Sequence, residues 1–226
     1  MLPQIYPTDK SGQKRPLIRT FAGRRGRLSE TRLNIRETLL PKYAISEDAK
    51  GQDYRQIFID PEVIIDFGAG MGQHSLALLD QGKSVIAVDV HTAGICDIVG
   101  YANNHQHSKL RVFHGDGINF LLKGLAKESI SEVHVYFPDP WPKARHANRR
   151  LFTLEFLQIV SIVLVPNGKV ILVTDIDEYA DGAREVISQT QLFKEVPFVD
   201  EVTLTSFHRR ALRLGHRIHK FALEKI

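Results

Sequence analysis

The chain has 226 residues, a single cysteine and a formal net charge of +4. This length suits one α/β domain with a short appendage, and such a domain has a core that needs no disulfide or structural metal. The lone cysteine excludes a disulfide framework and paired-cysteine sites, and the absence of a long apolar run or signal-peptide pattern predicts a soluble, cytoplasmic protein with no membrane partner.

The charge is distributed unevenly along the chain. From Met1 to Leu40 there are nine Lys or Arg and three Asp or Glu, whereas from Asp60 to Pro140 there are five Lys or Arg and ten Asp or Glu. Basic ends around an acidic middle are typical of a protein that holds a polyanion at its periphery and a cationic ligand at its centre. The alternative interpretation is that these charges are ordinary solvated surface.

The N-terminal region divides into an arm and a helix. Residues 1–26 mix proline, glycine and basic side chains without apolar periodicity, which predicts a flexible basic arm. Residues 27–226 are expected to form a single domain. Ser29 is a favourable N-cap for a helix that runs to about Leu40 and is ended by Pro41.

After this helix, short β-branched runs alternate with helical stretches. Five runs predict a parallel sheet with helices on both faces, and they are residues 63–65, 85–88, 110–113, 133–137 and 170–173. A last pair, near 193–196 and 217–223, is expected to close the sheet as an antiparallel edge. The expected fold class is therefore α/β, with a doubly wound, Rossmann-like and mostly parallel sheet.

Acidic residues follow the predicted parallel strands. In a doubly wound sheet, ligands bind outside the carboxyl ends of the strands. Each of the five strands leads into an aspartate there: Asp66, Asp89, Asp116, Asp139 and Asp175. The glycines of the turn at 68–72 allow backbone to approach a ligand closely. These positions predict a binding crevice rich in carboxylates.

Charge distinguishes two ligand classes for the glycine turn. A dinucleotide fingerprint needs glycine three residues after Gly70, where Gln73 stands, and Asp66 would repel a pyrophosphate. S-adenosylmethionine has a sulfonium, an ammonium, a ribose diol and an adenine but no phosphate, so the acids favour it. The separation of Asp89 from Asp66 is about that at which the acid after the second strand reaches a ribose diol, and Asp116 could accept from the adenine amino group. Alternatively, Asp66 and Asp89 cap the helices that follow.

The loop after the fourth strand is the most specific segment. Residues 137–150 read FPDPWPKARHANRR. Three prolines restrict the backbone and hold Asp139 and Trp141 in place, and four basic side chains follow at once. A rigid acid and an aromatic ring beside a basic strip suit a methyl donor, a flipped base and a phosphate backbone together.

This loop and four further blocks resemble the bacterial-type tRNA (guanine-N7)-methyltransferases, a family of class I S-adenosylmethionine-dependent enzymes. The other blocks are RRGRLSETR at 24–32, DFGAGMG at 66–72, TDIDEY at 174–179 and TSFHRRALRLGH at 205–216. The resemblance covers nearly the whole chain. It implies a methyltransferase sheet, S-adenosylmethionine as cofactor, tRNA as partner, and N7 of a variable-loop guanosine as the methyl acceptor.

The resemblance also implies roles for individual residues. The catalytic residue is expected to be Asp139. Residues expected to bind S-adenosylmethionine are Asp66, Gly68, Gly70, Asp89, Asp116 and Asp139. Residues expected to contact the substrate are Lys143, Asp175, Thr205, Ser206, Phe207 and His208. Residues expected to contact RNA are Arg145, His146, Asn148, Arg149 and Arg150.

Four positions depart from the family pattern. Asp66 and Asp89 stand where the family more often has glutamate, which gives a shorter reach to the same ligand groups. His208 occupies a position where many members carry glutamate. Ala93 replaces a frequent proline in the turn after the second strand.

The chemistry of N7 explains why no general base is expected. N7 of guanine has an in-plane lone pair and no proton, so an in-line displacement depends on positioning. Asp139 is expected to follow the moving charge, and Trp141 or Phe207 to pack against the base. A cytosine-C5 enzyme would need a cysteine after the fourth strand, whereas Cys96 follows the second. Exocyclic-amine methylases place two adjacent prolines after their acid or amide, unlike residues 139–142.

Several alternatives remain open from the sequence. The chain has ten histidines, but none is spaced as a metal-binding pair, so no metal is expected. Other functions are a catalytically inactive tRNA-binding protein, or a methyltransferase that acts on another RNA base, a protein or a small molecule. The assembly is expected to be a monomer or a homodimer.

Overall fold

The computed structural model describes residues 27–199 and 201–226. The predicted basic arm, residues 1–26, lies outside the described residues, so its flexibility stays a prediction. The helices are α1 Glu30–Thr38, α2 Leu40–Tyr43, α3 Tyr54–Phe58, α4 Gln73–Asp80, α5 Thr92–Asn104, α6 Gly117–Asn119, α7 Leu154–Val163, α8 Asp177–Gln189 and α9 Ser206–Arg213.

The strands carry most of the predicted β-branched runs. They are β1 Val63–Phe67, β2 Ser84–Asp89, β3 Leu110–His114, β4 Ile130–Tyr136, β5 Leu164–Thr174, β6 Phe193–Val196 and β7 His219–Lys225. A π-helical turn, Phe120–Gly124, follows α6, and a 3-10 helix, Ala144–Arg149, lies between β4 and α7. The last strand, β7, begins at His219, two residues later than predicted.

All seven strands form one sheet in the order β3-β2-β1-β4-β5-β7-β6. Strands β1 to β5 pair in parallel, and β7 runs antiparallel to both β5 and β6. The predicted α/β fold, with a parallel sheet and an antiparallel edge, is confirmed. The carboxyl ends of β1, β2, β3, β4 and β5 consequently share one edge of the sheet.

The sheet is covered on both faces, which explains why its strands are apolar without alternation. In β1, Val63 and Ile65 pack into a cluster with α7 and α8, whereas Ile64 between them packs into a cluster with α4 and α5. All five residues of β1 are buried. Burial on both faces fixes the register of β1 in the sheet, and the register fixes the position of the turn that follows β1.

The first helix begins as predicted and ends earlier. The Ser29 hydroxyl accepts a hydrogen bond from the Arg32 N–H, which is the expected N-cap. Helix α1 ends at Thr38, and Pro41 lies in the first turn of α2, so the prediction that Pro41 ends the helix is wrong. Proline is tolerated there because first-turn N–H groups have no helical acceptor. Arg32 also pairs with Asp97 at 2.8 and 2.7 Å and fastens α1 to α5.

Three further features bear on function. Within residues 27–199 and 201–226, no helix has the length and apolar character needed to cross a membrane. Within the same ranges, no three His, Cys, Asp or Glu side chains are grouped as metal ligands. Cys96 is fully buried, and burial raises the pKa of its thiol, so it behaves as a small core residue.

Candidate functional site

A cavity of about 310 Å³ lies at the carboxyl edge of the parallel strands. Residues of the predicted cofactor and substrate sets line it, namely Asp66, Gly68, Gly70, Asp89, Asp116, Asp139, Thr205, Ser206 and Phe207. The aspartates reach it from the ends of four different strands, because parallel strands end at the same edge of the sheet. The structure thus brings together residues that are up to 141 positions apart in the sequence.

The glycine turn after β1 is tightly constrained. Gly68, Gly70 and Gly72 have φ angles of 84°, 56° and 82°, in the left-handed region that favours glycine. A β-carbon on Gly94, in the first turn of α5, would overlap the carbonyl oxygen of Gly70. Glycine at 94 therefore lets α5 pack directly against the turn and hold it at the wall of the cavity.

Backbone N–H groups of this turn donate hydrogen bonds to oxygen atoms of the protein itself. Gly68 and Ala69 donate to the carbonyl oxygen of Val88 at 2.8 and 3.1 Å, and Gly72 donates to that of Ala69 at 2.8 Å. Gly70 donates to Oδ2 of Asp89 at 2.7 Å. A phosphate-binding turn presents such N–H groups to its ligand. This arrangement, together with the nearby acids, favours a ligand without phosphate and fits S-adenosylmethionine.

Asp66 lies at the base of the cavity and is 1% exposed. Its carboxylate accepts a hydrogen bond from the Ser75 hydroxyl at 2.6 Å. The pKa of Asp66 is raised to about 6, mainly by burial and to a smaller extent by the neighbouring Asp89, while the Ser75 hydrogen bond and the nearby His134 oppose the shift. A cationic ligand beside Asp66 would stabilise its ionised form.

Backbone N–H groups hold Asp89 and Asp116. Asp89 accepts from Gly70 and, through its other oxygen, from His91 at 2.7 Å. Asp116 caps α6 by accepting from Ile118 at 3.0 Å. The alternative that Asp66 and Asp89 cap the following helices is wrong, because the N-cap residues are Gly72 for α4 and His91 for α5.

The loop that carries Asp139 has an unusual backbone. Phe137 and Trp141, on either side of residues 138–140, have φ angles of 50° and 44°. Such left-handed backbone angles cost residues with bulky side chains about 1 to 3 kcal/mol each. Arg150 fastens the loop to α8, since its guanidinium donates to the carbonyl oxygens of Pro140 at 3.1 Å and Glu178 at 3.0 Å. Asp139 is exposed and lines the cavity. The surrounding chain therefore holds an exposed carboxylate in a strained loop.

The basic strip beside this loop lies outside the cavity lining. The Arg149 guanidinium lies 4.8 Å from the centre of the Trp141 ring, and the His146 ring meets that ring edge-on at 5.6 Å. The pKa of His146 is lowered by desolvation and by the neighbouring basic side chains. Lys143, Arg145 and Asn148 are exposed. Arg150 differs from them, because it is half-buried and bonded within the protein.

The second predicted substrate segment forms a rim of the cavity beside Phe137. Thr205 caps α9 by accepting from the His208 N–H at 3.1 Å, and Ser206 and Phe207 line the cavity. The Phe207 ring is half exposed and lies 6.3 Å from that of Phe137, nearly parallel to it. His208 is buried behind this rim, with Nδ1 at 3.3 Å from the carbonyl oxygen of Thr203.

Asp175 lies at the end of β5, outside the cavity lining. One of its oxygens is 2.9 Å from Nδ1 of His216. The structure therefore places Lys143, Asp175 and His208 near the crevice but not in its wall, unlike the other predicted substrate residues.

Sequence reasoning missed several side chains that line the cavity, among them Gln73, His74 and Tyr136. Gln73 accepts a hydrogen bond from the Ser206 N–H through Oε1, and the Tyr136 ring stacks on His74 at 3.9 Å. Their positions gave some signal, because Gln73 and His74 begin the helix after the glycine turn and Tyr136 ends β4. Their residue types gave none.

Known proteins resemble this chain over most of its length. Residues 60–221 match a family model described as "Putative methyltransferase". The chain is 36% identical over 210 residues to a tRNA (guanine-N(7)-)-methyltransferase of Nitrosospira multiformis, covering 89% of this chain and 91% of that protein. It is 32% identical over 235 residues to a protein of the same name from Hydrogenovibrio crunogenus, covering 99% and 97%.

A solved structure supports the fold. An rRNA methylase from Streptococcus thermophilus superposes with a TM-score of 0.52 at 16% identity, covering 77% of this chain and 93% of that one. At this identity the likeness concerns the fold alone. The family model and the two sequence relatives go further, and by them the chain belongs to the tRNA (guanine-N(7)-)-methyltransferase family.

Proposed function

We propose that this chain transfers a methyl group from S-adenosylmethionine to N7 of a guanine in tRNA, and that the acceptor is a guanosine of the variable loop. Family membership makes the chain an S-adenosylmethionine-dependent methyltransferase. The observation that carries the proposal is the convergence of four carboxylates on one cavity, those of Asp66, Asp89, Asp116 and Asp139.

The donor would occupy the part of the cavity beside the glycine turn. Asp89 is oriented by two backbone N–H groups, and its oxygens retain lone pairs for the hydroxyls of a ribose. Asp116 has one oxygen bonded to Ile118 and is placed to accept from the adenine amino group. Asp66 supplies negative charge to the cationic methionine part. Gly68 and Gly70 leave room because they have no side chain.

Asp139 is the residue proposed to act at the reacting atoms. When bound, S-adenosylmethionine supplies a methyl group whose bond to sulfur breaks, leaving its electron pair on sulfur, as the N7 lone pair forms the new bond. Positive charge thereby moves from the donor to the base. A carboxylate fixed by the strained loop stabilises that charge along its path without taking up a proton.

The acceptor base would enter between the loop and the α9 rim. Phe207 offers an exposed ring at the cavity, and a base removed from its stack gains from contact with such a face. Thr205 and Ser206 offer hydroxyls beside it. Lys143 and Asp175 are proposed to contact the nucleotide from outside the cavity wall, with Asp175 held by His216.

The tRNA backbone is proposed to lie on the basic surfaces on both sides of the crevice. One is the strip with Lys143, Arg145, His146, Asn148 and Arg149. The other is the region of α9 with Arg209, Arg210, Arg213 and Arg217, which are exposed. Phosphate contacts of this kind position RNA without reading its sequence. Arg150 contributes indirectly by holding the loop.

A transfer assay with paired transcripts tests the proposal. Purified protein is incubated with methyl-labelled S-adenosylmethionine and an unmodified tRNA transcript that has a variable-loop guanosine, and in parallel with a transcript in which that guanosine is adenosine. We expect label in the first transcript and none in the second. Equal labelling of both would contradict the proposed position, and label in neither, with donor binding intact, would favour another substrate class.

A further inference from the structure

A row of polar side chains that the proposed reaction does not use runs from His74, in one wall of the cavity, into the protein. Glu132 and His134 belong to β4, and Oε2 of Glu132 is 2.7 Å from Nε2 of His134. Nδ1 of His134 is 2.8 Å from Nε2 of His74, in the first turn of α4. Nδ1 of His74 is 2.8 Å from the hydroxyl of Thr203, between β6 and α9. We call these four residues the polar row.

The two histidines at the centre of the polar row are buried, whereas Glu132 and Thr203 at its ends are partly exposed. His74 and His134 are 5% and 4% exposed. The Tyr136 ring stacks on His74, and Asp66 is the partner of His134 in the pairing of β1 with β4. A buried histidine pair needs every ring nitrogen matched with a partner of the right kind, because an unmatched buried group is costly.

The hydrogen bonds of the polar row have one consistent direction when Glu132 is ionised and both rings are neutral. The hydrogen bond from His134 lowers the pKa of Glu132, so its carboxylate only accepts. His134 must then donate from Nε2 and accept at Nδ1. Burial and the neighbouring His134 lower the pKa of His74 to about 2, so His74 stays neutral.

These constraints determine what His74 offers to the cavity rim. Because Nδ1 of His134 accepts, His74 donates from Nε2 and its own Nδ1 is an acceptor. The Thr203 hydroxyl therefore donates to His74. The carboxylate at the far end of the row thus sets which nitrogen of His74 carries the proton, and it leaves Nδ1, the nitrogen that faces Thr203, as an acceptor.

Thr203 leads directly into the residues that line the cavity. Its carbonyl oxygen accepts from the Thr205 N–H at 2.8 Å, and Ser206 and Phe207 follow. Gln73, next to His74, accepts from the Ser206 N–H. The first turn of α4 thus holds this irregular segment through two side chains, Gln73 and His74. The glycine turn after β1 immediately precedes this first turn of α4.

We propose that His74 is a positioning residue that fixes the Thr203–Phe207 rim of the cavity through the Thr203 hydroxyl, with Glu132 and His134 setting its tautomer. The inference rests on the proposed function in that this rim is where the acceptor base would enter. His74 would act on acceptor binding through Thr203 and would take no part in the displacement itself.

Two changes at Thr203, the isosteric one to valine and the hydroxyl-retaining one to serine, test the inference. Thr203→Val removes the hydroxyl and leaves Nδ1 of His74 without its donor, whereas Thr203→Ser keeps the hydroxyl. For Thr203→Val we expect the KM for tRNA to rise about five- to tenfold, as for a lost hydrogen bond, with kcat and donor affinity changed less than about twofold. Thr203→Ser should restore wild-type KM. Equal KM values for the two variants would overturn the inference.

A double variant tests whether His74 acts through Thr203. His74→Phe keeps a ring against Tyr136 but cannot accept from the hydroxyl. If the two residues act as one unit, the KM of the His74→Phe, Thr203→Val protein should be close to that of His74→Phe alone. Multiplied effects of the two changes would mean that His74 acts elsewhere.

Two measurements on the protein without tRNA separate this inference from the proposed function. Nitrogen-15 spectra of labelled histidines should show His74 neutral, with its proton on Nε2 and none on Nδ1. Exchange of the Ser206 amide should be faster in Thr203→Val than in wild type and Thr203→Ser. If the wild type fails to methylate tRNA but both results hold, the proposed function fails and the positioning role stands. The other tautomer, or unchanged exchange, would contradict the positioning role whatever the activity.

Discussion

At the scale of single residues, the aspartates of the crevice differ in burial although they share a residue type. Asp66 is 1% exposed and its pKa is raised to about 6, whereas Asp139 is exposed at the cavity. Environment therefore divides the acids into a buried one with a raised pKa and an accessible one, which we propose acts at the reacting atoms.

Replacing Asp139 tests its role at the reacting atoms. Asp139→Asn keeps the shape of the side chain and removes its charge, so we expect kcat to fall about 100- to 1000-fold, as when one electrostatic stabiliser is removed. The melting temperature should change little because Asp139 is exposed. Asp48→Asn is the matched control, since Asp48 is exposed and away from the cavity lining. Wild-type kcat in Asp139→Asn would end the assignment.

The raised pKa of Asp66 predicts how donor binding depends on pH. A cationic donor favours the ionised carboxyl, so the Kd for S-adenosylmethionine should be flat above pH of about 6. Below it, the Kd should rise towards about tenfold per pH unit, because the proton must first leave. Calorimetric titration from pH 5 to 8 measures this. In Asp66→Asn binding should be weaker and this dependence absent, and an unchanged pH profile would contradict the role.

The raised pKa of Asp66 affects the stability of the ligand-free protein in the opposite direction: it favours the folded protein at low pH, whereas donor binding is favoured at high pH. Because the folded pKa of Asp66 lies above that of the unfolded chain, the folded protein retains a proton that the unfolded chain releases. The stabilisation from this group is therefore present at low pH and is lost as pH rises through about 6.

At the scale of elements, the loop between β4 and α7 combines strain with an internal anchor. Phe137 and Trp141 have left-handed backbones, and Arg150 ties Pro140 to α8 through two hydrogen bonds to carbonyl oxygens. The guanidinium of Arg150 also lies 5.7 Å from the ring centre of Tyr179, which is buried. The arginines that close this loop motif therefore have different tasks.

A pair of single changes separates these tasks. Arg150→Met should lower both the melting temperature and kcat, because the strained loop loses its anchor, at a cost of about 1 to 3 kcal/mol for charged hydrogen bonds. Arg145→Gln should leave both unchanged and weaken tRNA binding. Thermal unfolding and steady-state kinetics on the two variants decide the matter. A stable, active Arg150→Met protein would contradict the anchoring role.

The basic strip makes a separate prediction about salt. If Lys143 and Arg145 each neutralise a phosphate, the double change to glutamine should reduce the slope of log affinity against log salt by about 1.4 to 1.8. The control is the double change of Lys50 and Lys127 to glutamine, since both are exposed and lie near the opposite edge of the sheet. A slope lowered equally by the control would mean that tRNA contacts are not localised at the strip.

At the scale of the whole molecule, periodicity and strand-end chemistry were enough to predict the sheet and the acids of its crevice. β1 and β2 are buried on both faces, and that is why their apolar runs are continuous and easily recognised. Asp66, Asp89, Asp116 and Asp139 were found because a parallel sheet aligns the ends of its strands.

What the sequence could not predict depends on contacts between distant segments. The hydrogen bond of His74 to Thr203 joins residues 129 positions apart, and that of Gln73 to Ser206 joins residues 133 apart. Arg150 is one of several arginines in a basic run, and its bonds depend on where α8 packs. No local pattern marks which arginine turns inward or which helix receives the α9 rim.

The most direct test of the whole account is the identity of the methylated nucleoside. Unmodified bulk tRNA is incubated with the protein and methyl-labelled S-adenosylmethionine, digested to nucleosides and examined by mass spectrometry. We expect labelled 7-methylguanosine as the product. Label in another nucleoside would leave the fold and the cofactor in place but contradict the chemistry assigned to Asp139.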